Sequence, residues 1–205
     1  MTTAIRWRII VLQAVALLVF GFAAGGALYA HNFIGDQVQQ QLAPQQIYFP
    51  ANAKQGLPAD LSQYAGQQVL NGDQAHAYAE KFIGLHLKEI GQGHPYSYWS
   101  GKAMTETDPA LKAKDQGIAD TLFKGDTLRT MLNTAWTFWV IGQIAFYAFF
   151  GLLAASLIVL GALAFEVAEV VRGKETVTAI AMSANGHGAM PAKTAPITGE
   201  PVAVN

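Results

Sequence analysis

Cysteine is absent from all 205 residues. That excludes disulfides, thiol nucleophiles and Cys-based metal sites, so any folded part must be held by packing. Charge is scarce as well: 13% of residues are charged against 52% hydrophobic, a balance that leans away from an ordinary soluble domain. Continuous β-type alternation is missing, and so are internal repeats. There is no H-E-x-x-H pair, and "GDQVQQQ" and "GKETVT" do not make a phosphate-cradling loop. Ser62, Ser97 and Ser100 stand outside any nucleophile-elbow context. No cofactor and no catalytic residue is expected, so the chain reads as a non-enzyme.

What is present is two long uncharged blocks. Residues 9–30, "IIVLQAVALLVFGFAAGGALYA", make 22 residues, about 33 Å of helix. Residues 135–165, "AWTFWVIGQIAFYAFFGLLAASLIVLGALAF", make 31, about 46 Å of helix. The first matches a bilayer core of about 30 Å, while the second exceeds it and should tilt or protrude at one end. The first block is longer than a secretory signal core of ~7–15 residues, and "LYA" at its end is a poor cleavage site, so an uncleaved anchor is expected. Arg6 and Arg8 precede the first block, and Arg172 and Lys174 follow the second. Positive flanks stay in the cytoplasm, which puts both termini inside and the middle outside. Trp136, Trp139, Tyr147 and Tyr29 would then mark the outer interface, and Trp7 the inner one.

No Asp, Glu, Lys, Arg or His lies inside either block; Gln13 and Gln143 are the strongly polar exceptions. Proton relays and pumps need buried ionisable groups, which argues against active transport. Residues 31–134 carry eight basic and ten acidic residues, a net of −2. That is an ordinary surface, with no nucleic-acid face.

Along the middle, residues 31–42 should continue the first helix until Pro44 stops it. Residues 45–69, "QQIYFPANAKQGLPADLSQYAGQQV", read as a loop punctuated by Pro and Gly, with one short helical turn at 60–64. Its Tyr48-Phe49-Pro50 knot must bury rings somewhere. Residues 73–90 form the clearest soluble helix, with Ala75, Ala79, Phe82, His86 and Ile90 on one face, Lys81, Gly84 and Lys88 opposite, and Gly91 and Gly93 ending it. Asp108-Pro109 caps another helix lined by Leu111, Ile118 and Leu122, which Gly125 is expected to break, with Asp126 capping the next. After Arg172 the composition turns to Gly, Ala, Pro, Ser and Thr, and a disordered tail is expected.

Three constellations are candidates for function. Gly21 and Gly25 form a small-xxx-small pair, and Gly142, Gly151 and Ala155 offer small positions in the second block. Such spacing lets helices approach closely, within the chain or between chains. Within one chain, Gly21–Gly25 would face Phe146, Tyr147 and Phe150. Second, the aromatics Tyr48, Phe49, Tyr96, Tyr98 and Trp99 would line a ligand pocket or, as the plainer reading, form the core of a small helical cap. Third, His76 and Glu80 stand at i, i+4, a ligand-competent spacing. His86 lies about 80° round the helix and reads as a packed histidine with one hydrogen bond. His94 precedes a proline in a loop, and His187 is in the tail. No metal site is expected.

The stretches "QQIYFP", "LPADLSQYAGQQV", "FIGLHLKEI", "LFKGDTLRTML" and "AWTFWVIGQIA" resemble a group of two-span membrane proteins from actinobacteria, over about residues 10–165. Some members carry an aromatic ring-opening dioxygenase label. That label implies iron held by two His and one carboxylate, and the spacings above offer no such triad, so it is not carried over.

The sequence therefore reads as an all-α membrane protein. Two transmembrane helices (9–30 and 135–165) flank a small helical extracytoplasmic domain (31–134), with residues 1–8 and 166–205 in the cytoplasm. The expected role is a structural or assembly subunit of a homo-oligomer or larger membrane complex in the lipid bilayer. A binding module for a lipid or envelope molecule and an oligomeric channel are the alternatives; the channel would need a polar stripe along one span.

Overall fold

The structure is a computed structural model that describes residues 3–186 (side chains excepted at 3, 175, 178, 179 and 181–186). The described residues are helical, with no strand beyond one isolated bridge, Tyr48 to Gln68. Two helices are long and apolar enough to cross a membrane, over Ala4–Gln45 and Pro109–Lys174. The chain divides into two compact units, Leu18–Ser156 and the described parts of Met1–Leu17 with Leu157–Asn205.

Helix α1 (Thr3–Leu42) runs unbroken until the turn at Ala43–Gln45, where Pro44 ends it. Helix α5 (Pro109–Gly186) opens as the sequence suggests: Asp108 Oδ1 accepts from the amides of Ala110 and Leu111 at 2.8 and 3.1 Å. Two expectations about α5 are overturned. Gly125 does not break it, and Asp126 caps nothing; the helix passes straight through. A Cβ at Gly125 would overlap the Leu87 methyls, so this glycine serves close packing. The helix also continues beyond Arg172 to Gly186, so residues 173–186 are not an irregular tail. The rest of that tail, with His187, lies outside the described residues.

Between the long helices, the chain builds the core of the larger unit. The loop after α1 closes on itself: the Val69 amide donates to Ile47 O at 2.8 Å, Phe49 to Gln67 O at 2.9 Å and Gly66 to Pro50 O at 3.2 Å. This Ω-like closure satisfies backbone groups that would otherwise be orphaned. It turns Phe49, Leu57, Leu61 and Val69 inward, where they join Val38 and Leu42 of α1. The Phe49 ring stacks on Tyr64 at 5.0 Å and meets Tyr78 edge-on at 5.1 Å. The loop is thus a core element.

The expected helix over 73–90 is present but bent into three parts: α2 (Gly72–Ala77), a π-helical turn (Tyr78–Ile83) and α3 (Gly84–Ile90). Ala75, Ala79, Ile83 and Leu87 are its buried row. The expected face differs, for Phe82 and His86 are only half-buried and Ile90 is exposed. In an ideal helix a row spaced by four drifts about 40° per step. The π turn takes up an extra residue and removes that drift. Helix α3 ends at Gly91 because Gln92 and Gly93 turn left-handed, at φ 52° and 80°; a Cβ at Gly91 would also lie 2.5 Å from His94 O. Helix α4 (Tyr96–Thr105) follows and sets Trp99 in the core, its indole Nε1 donating to Gly91 O at 2.8 Å. On α5, Leu122 and Ala119 are buried and Ile118 half-buried as the periodicity suggests, but Leu111 is exposed. Its place nearer the core is taken by Asp115, which is buried and held by Lys102 at 3.2 Å. Lys102 also sits 4.8 Å above the Trp99 ring.

Candidate functional site

The densest polar arrangement lies where the bent helix meets α5. The π turn presents Glu80, one residue past the buried Ala79, to Arg129 and Asn133. Arg129 Nε donates to Glu80 Oε1 at 3.1 Å, and its Nη2 donates to Oε2. Asn133 Nδ2 adds a third donor to Oε1 at 2.6 Å. The Asn133 carbonyl accepts from His76 Nδ1 at 2.9 Å, which fixes the proton on that nitrogen. The His76 ring stacks on Trp136 at 4.1 Å. One turn on, Trp139 Nε1 donates to Asp73 Oδ2 at 3.0 Å.

Electrostatics follow from this geometry. The Arg129 guanidinium, then the Asn133 amide, holds the Glu80 carboxyl below the usual carboxylate range. Glu80 in turn raises Arg129. A carboxylate with both oxygens engaged by three donors is a poor base and a poor metal ligand. The arrangement joins two helices; it does not expose a reacting group. Among the described residues, no group of three or more His, Asp or Glu side chains is placed to hold a metal. His76 and Glu80 are spent on the joint. His86 Nδ1 bonds Phe82 O at 2.7 Å, and His94 stacks on Tyr98 at 4.0 Å.

The aromatic candidates separate. Phe49 and Trp99 are buried core residues, whereas Tyr48, Tyr96 and Tyr98 are exposed. Tyr48 OH donates to Gln68 Oε1 at 3.4 Å, and Tyr96 packs against Phe123 at 5.6 Å between ring centres. No cavity described in the larger unit is lined by Tyr48 or Phe49 together with Tyr96, Tyr98 or Trp99. Trp136 and Trp139, expected as interface markers, make contacts within the chain: one covers His76 and the other packs on Gly72. Apolar periodicity cannot distinguish these two roles, because both ask for an aromatic at a helix end.

The small residues also separate. Gly142 is buried against α1, where an added Cβ would lie 3.2 Å from Ile34 Cγ2, and its carbonyl accepts from His31 Nδ1 at 3.0 Å. Phe146, expected opposite Gly21–Gly25, packs tilted against the His31 ring at 4.7 Å. Gly21, Gly25 and Gly151 have nothing within 4 Å of an added Cβ, and Ala155 is half-buried. The within-chain pairing of Gly21–Gly25 with Phe146, Tyr147 and Phe150 is therefore not formed.

An apolar cleft of 430 Å³ is the feature that sequence reading missed. It lies between the upper part of α1 and α5, with Phe33, Ile34 and Val38 on one wall and Met131, Phe138 and Ile141 on the other. The signal was the apolar stripe Phe33-Ile34-Val38, but nothing in the sequence gives the register that sets it beside Met131 and Phe138.

No family model, curated protein or solved structure matches this chain.

Proposed function

We propose that the chain is an integral membrane protein with both termini in the cytoplasm and residues 31–134 forming a domain on the outer face. On this reading it is a non-catalytic structural or assembly subunit, associating with copies of itself or with a larger membrane complex. The observation that carries it is the open surface at Gly21, Gly25 and Gly151, where nothing of this chain lies within 4 Å of an added Cβ. In lipid, helices associate by close backbone approach at small residues, since burial of apolar surface gives no drive there.

The register of the long helices supports the membrane part. His31 meets Phe146, and Gly142 meets Ile34. The end of the first apolar block is therefore level with residue 146, and the 20 residues from 146 to 165 measure about 30 Å of helix. That matches the bilayer core. The surplus of the second block, 135–145, then belongs to the outer domain, which fits the anchoring of Trp136 and Trp139 there.

The test is native mass spectrometry of the protein gently extracted from its membrane, with Gly21→Leu/Gly25→Leu alongside. The expected result is an oligomer or co-purifying subunits for the native chain and a smaller species for the variant. A bare monomer in both would overturn the reading.

A further inference from the structure

A polar cleft of 310 Å³ opens beside α1, lined by His31, Asn32 and Asp36 of that helix together with Asn71 and Trp139. Its height follows from the register of the long helices. With residues 31 and 146 level with the hydrocarbon edge, Asn32 stands about 2 Å and Asp36 about 8 Å above that edge. Headgroups extend about 5–8 Å beyond the hydrocarbon on each side, so both residues lie at headgroup depth. Asp36 is exposed, and among the described residues no basic group pairs with it. The belt around it has one sign of charge: residues 31–42 of α1 and 134–146 of α5 contain no Lys and no Arg. Upward along α5 the first basic residue is Arg129, about 25 Å above the same edge and already bound to Glu80. His31 Nδ1 lies 3.0 Å from Gly142 O. A carbonyl only accepts, so that nitrogen carries the proton, and Nε2 of the neutral ring is an acceptor.

We infer that Asp36 holds the headgroup of an outer-leaflet phospholipid that ends in a primary ammonium, of the phosphatidylethanolamine type. Depth supplies the source: at this level the molecules around the cleft are lipid headgroups. Charge and hydrogen bonding choose among them. An anionic headgroup would meet a like charge at Asp36 and no cation nearby. A choline headgroup carries the right charge but no N–H to donate. An ethanolamine headgroup brings three donors on one nitrogen, as a lysine ammonium does, and a carboxylate accepts them in a charge-assisted bond. Asn32 stands one turn below Asp36 on the same edge of α1. It is level with the ester and phosphate oxygens, and its side-chain amide is the donor for them. A bare Ca²⁺ takes ~6–8 oxygen ligands, and the α1 wall offers a single carboxylate.

This inference rests on the two-span reading, and one experiment separates the two. The full-length chain is reconstituted in nanodiscs of equal parts phosphatidylethanolamine, phosphatidylcholine and phosphatidylglycerol, the phosphatidylcholine carrying a mid-chain diazirine. One portion is irradiated and its adducts are mapped by peptide mass spectrometry. The other is released from the nanodisc in native mass spectrometry, and the lipids it retains are counted. Adducts are expected on residues 11–28 and 147–160. Phosphatidylethanolamine should be retained about threefold over either other lipid, a factor in keeping with one partly solvated charge pair. Asp36→Asn, an isosteric change at an exposed position, should bring the three lipids level, and Asp36→Glu should keep the preference. Adducts in both regions without that preference, or a preference that survives Asp36→Asn, would overturn the headgroup site and leave the spans in place. Adducts in neither region would overturn both. Free phosphoethanolamine, added in the molar amount of the lipid, should not displace the retained lipid; displacement would overturn the bilayer as the source of the ammonium.

Discussion

Two stretches of α5 use the same residue types to opposite ends. In 109–142, Gly117 is open but Gly125 and Gly142 admit neighbours: Leu87 packs on the first of these, and Ile34 with His31 on the second. In 144–165, Gly151 and Gly161 have nothing within 4 Å. The tryptophans follow the packed stretch, where they hold His76, Gly72 and Asp73. A glycine in an apolar helix is therefore informative only with its register. Packed, it marks a contact already made within the chain; open, it leaves surface for something else. The packed glycines of the first stretch all meet residues of the larger unit, and the second stretch leaves its glycines open.

The contrast breaks most visibly at Gly72, the partner surface of Trp139. A Cβ there would overlap Trp139 Cβ and Cγ, atoms too close to the backbone to swing away. Gly72→Val should cost more than about 3 kcal/mol and unfold the packed core of the larger unit. Tryptophan emission should shift to the red, since Trp99, Trp136 and Trp139 all lie in the larger unit; native-like emission and melting temperature would contradict the packing described. Gly125→Ala is milder, because Leu87 meets it with the tips of its side chain and alanine favours the helix by about 1 kcal/mol. Overpacking at about 1–3 kcal/mol should still prevail. Gly151→Ala, with open space around it, should leave the melting temperature in detergent equal or higher. If Gly125→Ala also raised it, the two stretches would not differ as described.

How much was legible follows from the same comparison. The two apolar helices, the Asp108 cap, the extension of α1 to Leu42 and the stop at Pro44 rest on local signals, and all are present. The π turn is not a local signal: Ala75, Ala79, Phe82 and His86 make a sound 3.6-residue stripe, and only the demand of the core for Ile83 and Leu87 reveals the bend. Gly125 misled because a glycine reads as a breaker in sequence and as a close contact in three dimensions. Glu80 was visible at i, i+4 from His76, but its partners Arg129 and Asn133 are some fifty residues away, and no spacing rule reaches that far. The cleft between α1 and α5 was hidden for the same reason.

The gentlest probe of the packed stretch is acid. Arg129 and Asn133 hold the Glu80 carboxyl below the usual carboxylate range, so its protons bind more weakly in the folded state than in the unfolded one. The stability it contributes is whole above the ordinary carboxylate pKa and is lost as pH falls through the lower folded value. The joint is partly exposed, with side chains 38% and 32% accessible, so its contribution is on the order of 1 kcal/mol or less. Lowering pH from 6 to 3 should therefore reduce the melting temperature of the tryptophan-bearing domain, and Glu80→Gln should remove part of that acid dependence while costing a little stability at pH 7. Helicity of the open stretch, read by far-ultraviolet circular dichroism after the domain transition, should not respond, because it carries no titrating group between residues 144 and 160 apart from Tyr147. If Glu80→Gln left the acid limb unchanged, the joint would hold nothing, and the bend at Tyr78–Ile83 would have to be explained by the buried row alone.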